Sequence, residues 1–452
     1  MLHKMLTELL RKEMIPALGC TGPTAYALAT ACCRPYLTAK PKEVKVRVSP
    51  AFLKIGFGVA TPGTTSPGIE IAAAAGLIAG DYTLGLQVLK PVTQADMEAA
   101  AALVKEGIIQ VLCAWDQTGV YVRAEVTTEN EEVLAVVEHT HDGISLIQVN
   151  GEKKLERPPA SEERVEDNTD FLTLENIFTY VRTVDPADIR FLLDGYYMNL
   201  KLAEDGLKQS FGLASGRAYL TDYWKTKGLP SDLFEKPMEY LPDNIHDRAR
   251  ILVSAASDGR MGGSRLPAMA AMGDGNQGLT AMIPVGVTAE LMGANEEKTC
   301  RALALSSLML FYVKVNVGRA AAFCLCAIAA SAGAAAGMAY LRDMTEAQIK
   351  SAVKNVISPL AGMLCDGAKN GCALKMAIAV SSAFSAVELA ADGVQVGFFD
   401  GVSDDALEDT VTCITEIASR SMELLDHCMV DGILCKTERK RAAATAQADP
   451  PS

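Results

Sequence analysis

The segment from Ala320 to Leu341 limits the fold more than any other part of the chain, because none of its 22 residues is charged. A run of this length is long enough to span a bilayer. Most of its residues are Ala, Gly, Ser or Cys, however, so its free energy of transfer into lipid would be poor. The run therefore predicts a helix buried on all sides by other helices, and we expect no membrane association.

Alternation of polar and apolar residues at period two marks the first part of the chain. It is typical of strands in a mixed or antiparallel sheet. Stretches with helical spacing at 66–80 and 95–106 lie between the alternating segments, and the pattern predicts an α/β domain over residues 1–165. The alternating segments are residues 43–50, 120–129, 132–140 and 145–152.

A charged, proline-containing stretch at 151–168 separates this part from a second one that lacks alternation and shows helical periodicity throughout. Its central segments are rich in Ala and Gly, which lets helix backbones pack closely. We expect an all-helical domain over residues 166–435 and a disordered tail over 436–452. The predicted fold class is therefore α+β. The predicted helices cover residues 186–203, 244–256, 297–313, 320–341, 345–358, 372–391 and 403–428.

Charge and cysteine content exclude several classes of function. The net charge of −13 argues against nucleic acid as a partner, because phosphate binding needs a basic face. The N-terminal segment contains acidic residues and no small-residue cleavage site, so it reads as an amphipathic helix and predicts a cytoplasmic protein. In that compartment the twelve cysteines do not form a disulfide framework. We expect most to be buried and a subset to bind metal.

Four of these cysteines form the most conspicuous chemical pattern. Cys365 and Cys372 flank a glycine-containing loop in MLCDGAKNGCALK, and Cys324 and Cys326 lie in FCLC about forty residues earlier. The spacing matches neither a zinc ribbon nor a ferredoxin, so metal ligation and ordinary burial both stay open. On the predicted helix Cys324 and Cys326 would point about 200° apart, so only one of them could face a metal.

A further cysteine, Cys20 in PALGCTGPT, is framed by glycine and proline on a turn that leads into a helix from Thr24. A thiolate at a helix N-terminus is stabilised by the helix dipole, so Cys20 could act as a base or nucleophile near neutral pH. The alternative is that Cys20 is a small residue in a tight turn.

His139 and His141 in EHTHDG also have the spacing of a metal pair. On a strand the two side chains would share one face, which would allow zinc binding. The alternative, which we favour, is a partly exposed strand end.

Two glycine-rich loops, at 59–70 and 257–285, place polar groups before helices. A helix N-terminus and an arginine both attract an anion, so the loops suit a small molecule that bears a carboxylate. The candidate substrate-binding residues are Thr64, Thr65 and Ser66 in the first loop, and Arg260, Gly275, Asn276 and Gly278 in the second.

Across these stretches the chain resembles the L-cysteine desulfidases, within the superfamily of iron-sulfur L-serine dehydratases. The resemblance covers almost the whole chain, in the order that the family shows. Gly22 departs from the family pattern, which has an acidic residue there. The matching stretches are PALGCTGP, VSPAFLKIGFGVATPGT, ASDGRMGGSRLPAM, GDGNQGLTAMIPV, GAAAGMAYL and MLCDGAKNGCALK.

The resemblance implies a 4Fe-4S cluster that is held by three cysteines and has one open iron. Its ligands would be Cys365, Cys372 and either Cys324, which we favour, or Cys326. Cys20 would be the catalytic base. The implied activity converts L-cysteine to pyruvate, ammonia and hydrogen sulfide without pyridoxal phosphate, and the partner is a small amino acid substrate.

Several alternatives remain at this point. L-Serine dehydration would need similar machinery, and a non-catalytic iron-sulfur or thiol sensor would share the thiols but would also need a partner module. A pyridoxal enzyme is disfavoured, because Lys369 and Lys375 lack the strand and phosphate-loop context of that cofactor. The apolar helical part is compatible with a homodimer.

Overall fold

The structure is a computed structural model, and it describes residues 2–19, 21–64, 66–157, 169–318 and 323–448. Cys20 and Thr65 lie outside these ranges.

The first part of the chain combines helices with a sheet. Its elements are α1 (Leu2–Glu13), β1 (Met14–Leu18), α2 (Thr21–Cys33), β2 (Glu43–Val48), α3 (Pro50–Gly56), α4 (Ile69–Ala79), α5 (Gln94–Lys105), β3 (Ile109–Cys113), β4 (Tyr121–Thr127), β5 (Glu132–Glu138), β6 (Ile144–Val149) and β7 (Glu152–Glu156).

Six of these strands form one sheet in the order β3-β2-β4-β5-β6-β7. The β2–β3 pair is parallel and the other pairs are antiparallel. Val44, Val46 and Val48 of β2 are fully buried while the residues between them are partly exposed, as the alternation predicts. Helices α2 and α4 pack together in the same core. The predicted mixed sheet in the N-terminal part is confirmed.

The second part is helical apart from one short strand. Its elements are α6 (Leu174–Thr183), α7 (Pro186–Ile189), α8 (Phe191–Lys208), α9 (Ser215–Thr226), α10 (Ile245–Met261), β8 (Pro267–Ala271), α11 (Gly275–Leu291), α12 (Glu296–Val317), α13 (Ala329–Leu341), α14 (Glu346–Leu360), α15 (Cys372–Ala391) and α16 (Leu407–Ala448).

The uncharged run does form a buried helix, but the helix begins later than predicted. Twelve of the thirteen residues of α13 are buried, against α11, α12, α14 and α15. Residues 320–322 lie outside the described ranges, and 323–328 form a bridge and a turn. The backbone explains this start, because Phe323 pairs with Leu364 and the Cys324 amide donates to the Met363 carbonyl at 2.8 Å. These contacts hold Phe323 and Cys324 in an extended arrangement, and a turn at 325–328 leads from them into α13.

The two parts are tied together at both ends of the chain. Strand β1 pairs antiparallel with β8, and Leu6 and Leu10 of α1 lie in the core of the helical part. Val430 of α16 packs into the core of the sheet-bearing part. The domain boundary near residue 165 stays a prediction. Each end of the chain contributes residues to the core of the other part. Helix α16 continues to Ala448, where the sequence predicted a disordered tail from residue 436.

Two of the described helices, α12 and α15, are long and apolar enough to cross a membrane by composition. The apolar window of α12 is 78% buried within the structure and that of α15 is 44% buried. The buried core helix of a globular protein passes the same test, so two such helices are weak evidence for a membrane span.

Candidate functional site

A cavity of about 110 Å³ opens between the sheet-bearing part and the helical part, and both parts line it. Phe52, Lys54 and Ile55 of α3 contribute from the first part, together with His141 from the β5–β6 turn. The helical part contributes the four clustered thiols. They belong to Cys324, Cys326, Cys365 and Cys372.

Two separate chain segments deliver these thiols. Cys324 and Cys326 lie in the turn before α13, whereas Cys365 follows α14 and Cys372 is the first residue of α15. Gly367 allows the intervening loop to pack against α3. Its φ is +95°, and a Cβ there would lie 2.1 Å from the carbonyl oxygen of Lys54. Only glycine is compatible with both conditions.

The sequence prediction that Cys324 and Cys326 face opposite ways is wrong. Both side chains line the cavity. The angle of about 200° applies to residues two apart on a helix. The pairing of Phe323 with Leu364 and the turn at 325–328 keep this segment out of the helix.

The environment distinguishes these two neighbouring thiols. A hydrogen bond from Cys326 lowers the pKa of Cys324 to about 7, with help from the Lys375 ammonium and against the effect of burial. The pKa of Cys326 is raised well above its ordinary value, because its proton is engaged by Cys324 and its site is buried. Cys326 Sγ also lies 3.5 Å from Asp274 Oδ2, which is a second acceptor within reach of its single proton. Cys324 therefore favours the thiolate and Cys326 the thiol.

Burial raises the pKa of the other two thiols. The pKa of Cys372 rises to about 12, although the Lys369 ammonium opposes the rise. Burial also raises the pKa of Cys365, and the Lys54 ammonium opposes this effect. A metal that binds these sulfurs would deprotonate them outright.

Four cationic residues line the same cavity as the thiols, namely Lys54, Arg260, Lys314 and Lys375. Lys54 Nζ lies 2.6 Å from Asp426 Oδ1 of α16, and its side chain is 2% exposed. Lys375 donates to the Leu364 carbonyl at 2.6 Å and also pairs with Asp366. These contacts fix positive charge beside the sulfurs, which favours their anionic forms.

Another of these cations, Arg260 of α10, is 2% exposed. Its Nη1 lies 3.8 Å from Asp274 Oδ1, while Nε and Nη2 have no hydrogen-bond partner among the described residues. A Cβ on Gly275 would lie 2.3 Å from Arg260 Nε, so glycine at that position makes room for the guanidinium. A buried guanidinium with unused donors is suited to bind a carboxylate.

The structure places only some of the predicted substrate-binding residues at this cavity. Arg260 and Asn276 line the cavity, and Gly275 adjoins Arg260. Gly278 instead packs against the Met269 carbonyl, and its amide donates to the Asp274 carbonyl, so that amide is not available to a ligand.

The described residues of the first glycine-rich loop, 59–70, do not line this cavity. Thr64 lines a separate groove together with Arg265, and Ser66 is exposed. Thr65 lies outside the described residues.

Cys20 also lies outside the described residues, so its role stays a prediction. Its neighbours are described. Gly19 has a φ of +68° and packs against Pro62, where a Cβ would lie 2.4 Å from Cγ. Gly22 packs equally closely against Ile55, which lines the cavity. The chain on both sides of Cys20 is therefore held tightly by neighbouring side chains.

Sequence reasoning missed several charged residues of the cavity. Lys54 and Lys314 each interrupt an apolar run, and a charge within a buried helix is a signal that could have found them. Asp274 stands beside the candidates Gly275 and Asn276 but was not singled out. His141 lines the cavity, whereas its supposed partner His139 is exposed in the turn after β5. The two histidines lie directly after β5 and not within it, so they do not share a strand face, and the exposed His139 adjoins the strand end that the sequence favoured.

The donor set fits an iron-sulfur cluster better than a single ion. Among the residues that the structure describes, no three side chains of His, Cys, Asp or Glu come close enough together to hold one metal ion. A 4Fe-4S cluster has no such requirement, because its thiolates bind different irons. Cys324, Cys365 and Cys372 line one cavity beside fixed cations, which would offset the negative charge of thiolates.

Comparisons with known proteins identify the family of the chain. The model of the serine dehydratase alpha chain family matches residues 83–431. A UPF0597 protein of Desulforapulum autotrophicum is 36% identical over 97% of this chain and 99% of its own length. UPF0597 proteins of Actinobacillus pleuropneumoniae and Clostridium tetani are 34% and 32% identical, each over 98% of its own length and over 96% and 95% of this chain.

Proposed function

The chain belongs to the serine dehydratase alpha chain family, and we propose that it is a lyase that converts L-cysteine to pyruvate, ammonia and hydrogen sulfide without pyridoxal phosphate. The observation that carries this proposal is the meeting of distant thiols and buried cations in one cavity. We further propose that the enzyme acts in the cytoplasm.

Cys324, Cys365 and Cys372 would hold a 4Fe-4S cluster. Cys324 is preferred over Cys326 because its environment favours the thiolate, which is the form that binds metal. When bound, such a cluster with one open iron supplies a Lewis acid that polarises a substrate carboxylate or thiol.

The chain's own residues would bind and orient the substrate. Arg260 would bind the α-carboxylate through its unused donors. The rings of Phe52 and Phe323, with the side chain of Leu325, would exclude water from the reacting atoms. Cys20 would take the α-proton as its thiolate, a role supported by its place in the sequence before α2.

The reaction balances without an oxidant or reductant. Loss of the α-proton and of the β-sulfur as hydrogen sulfide converts L-cysteine to 2-aminoacrylate. This enamine tautomerises to 2-iminopropionate, and one water then releases ammonia and pyruvate. The net reaction is one cysteine and one water to one each of pyruvate, ammonia and hydrogen sulfide.

The test is turnover of L-cysteine by protein that has been purified and reconstituted without oxygen. We expect sulfide and pyruvate to appear in equal amounts, and iron chelation to abolish both. A Cys20→Ser variant should keep its iron but lose turnover. A protein that binds iron and turns over no amino acid would overturn the proposal and favour the sensor.

L-Serine dehydration is the second candidate, and the name of the matching family favours it. Hydroxide and sulfide are expelled by similar machinery, so the same cavity suits either substrate. Comparison of kcat/KM for L-cysteine and L-serine on one reconstituted preparation decides between them. A preference for serine would replace the desulfidase assignment and leave the lyase class intact.

A further inference from the structure

We propose that Asp274, together with the side-chain oxygens of Asn276 and Gln277, binds the α-ammonium group of the substrate. These acceptors would make the cavity select α-amino acids over carboxylic acids that lack an amino group. The inference rests on the proposed function, because it assigns a further part of the substrate within the same cavity.

Asp274 is held firmly in place at the start of α11. Its carboxylate caps the helix, because Oδ1 accepts from the backbone amide of Asn276 at 2.9 Å. The side-chain Nε2 of Gln277 lies 3.2 Å from the other carboxylate oxygen. The turn that leads into it is closed by two backbone hydrogen bonds of 3.0 Å between Ala271 and Asp274. A carboxylate that is fixed before a ligand arrives loses little conformational entropy on binding.

Two buried amide oxygens beside Asp274 are unused. Asn276 and Gln277 are each 3% exposed and line the cavity. Within the described part of the chain, neither Asn276 Oδ1 nor Gln277 Oε1 has a hydrogen-bond partner. Their amide nitrogens are engaged, by Met261 Sδ and by Asp274 respectively, which leaves the oxygens as acceptors.

An unpaired buried acceptor carries a desolvation cost that a donor ligand would remove. An ammonium group has three N–H donors and no acceptor. One carboxylate and two amide oxygens therefore match it in number and in polarity.

The neighbouring arginine identifies the class of ligand. Arg260 Nη1 lies 3.8 Å from Asp274 Oδ1, too far for a hydrogen bond, so each charged group keeps capacity for a ligand. In an α-amino acid the ammonium and the carboxylate are both attached to the same carbon. A zwitterion of that size would place its carboxylate at Arg260 and its ammonium at Asp274.

The ionisation of Asp274 supports this assignment. Burial raises its pKa, but Arg260, Lys314 and the Asn276 amide lower it more, so its pKa stays below the ordinary value and the group is anionic at neutral pH. A helix N-terminus by itself disfavours a cation. The carboxylate at that terminus reverses this preference.

The experiment measures binding, and it uses ligands that cannot be turned over. L-Alanine and propionate have the same carbon skeleton and no leaving group, and they differ in the ammonium. We expect the anaerobically reconstituted wild-type protein to bind L-alanine at least about tenfold more tightly than propionate in calorimetry. Asp274→Asn keeps a good helix cap and removes the charge, so the preference should fall to about twofold or less.

The matched control is Asp185→Asn, at the exposed cap of α7, which should leave the wild-type preference unchanged. Equal affinity of the wild type for L-alanine and propionate overturns the inference, even if Asp274→Asn does not fold. An unchanged preference in Asp274→Asn overturns it as well. Selective binding of L-alanine without turnover of cysteine or serine would instead defeat the proposed function and leave the ammonium site standing.

Discussion

Cys324 and the adjacent cysteines at the end of α2 are all buried, yet their chemistry is opposite. Cys32 and Cys33 end α2 and are fully buried, and burial raises the pKa of Cys32 to about 12 and that of Cys33 further. Cys324 is also buried, but a hydrogen bond from Cys326 and the charge of Lys375 lower its pKa to about 7. Burial alone therefore makes a cysteine inert. A reactive sulfur here requires donors and cations that face it.

The comparison also separates closeness in sequence from closeness in space. Cys32 and Cys33 are adjacent in the chain, and each acts on the core mainly as a small apolar side chain. The cavity cysteines come from two segments some forty residues apart and meet only because the turn before α13 pairs with the loop after α14. Adjacent cysteines are thus a poor guide to a functional cluster.

Removal of one cavity thiol should have the largest effect. We expect Cys365→Ala to lose most of its bound iron and sulfide after anaerobic reconstitution, with turnover falling below detection, because a cluster with two remaining ligands is not retained. Cys33→Ala should keep its bound iron and sulfide and its turnover, and it should lose about 1 kcal/mol of unfolding free energy. Full iron content in Cys365→Ala would contradict the ligand assignment.

The buried cation next to Cys365 should contribute measurably to stability. Asp426→Asn leaves Lys54 without its anionic partner, and we expect it to lower the unfolding free energy by about 3 kcal/mol in urea titrations. The control is Glu408→Gln, which breaks the partly exposed pair with Lys350. That loss should stay under about 1 kcal/mol. Equal losses would mean that the Lys54 pair contributes no more to stability than a surface pair.

Cys324 and Cys32 should also differ in the pH at which they react in metal-free protein. A lowered pKa means that the Cys324 thiolate accumulates above about pH 7, so its alkylation rate should reach half its plateau there. Cys32 should stay protonated up to about pH 12 and react only on unfolding. Mass spectrometry of peptides after timed alkylation measures both rates. Reaction of Cys32 and Cys324 at the same pH would remove the distinction between these two cysteines.

The smallest effect should come from the neighbour of Cys324. Cys326→Ala removes the hydrogen bond that lowers the Cys324 pKa, so half-maximal alkylation should move toward the ordinary value near pH 9 while iron content is kept. Cys326→Ser retains a donor and should restore part of the shift. Loss of iron in both variants would instead make Cys326 the third ligand.

The sequence predicted the fold where the signal is local. Alternation identified β2, β4 and β5, because one face of each strand lies on a core. It missed four strands of five residues each, β1, β3, β7 and β8. Two of these, β1 and β8, pair with each other across about 250 positions. The late start of α13 was missed for the same reason. The contact of Phe323 with Leu364 overrides the helix propensity of the residues before Ala329.

The candidate site was predicted in the same uneven way. Cys324, Cys365 and Cys372 could be found because their motifs are distinctive, and the structure places all three on one cavity. Lys54, His141 and Lys375 were not predicted as part of it, since their roles depend on which segments pack together. Thr64 and Ser66 had suitable chemistry and spacing, but the fold places Thr64 on a separate groove and leaves Ser66 exposed.

The contact between Lys54 and Asp426 joins positions 372 residues apart, and it has a consequence for biosynthesis. While the chain is still being translated, α3 emerges long before the helix that neutralises its lysine. This wall of the cavity therefore closes only after nearly the entire polypeptide has left the ribosome. Until then this side of the cavity stays open, so insertion of the proposed cluster would belong to a late stage of maturation.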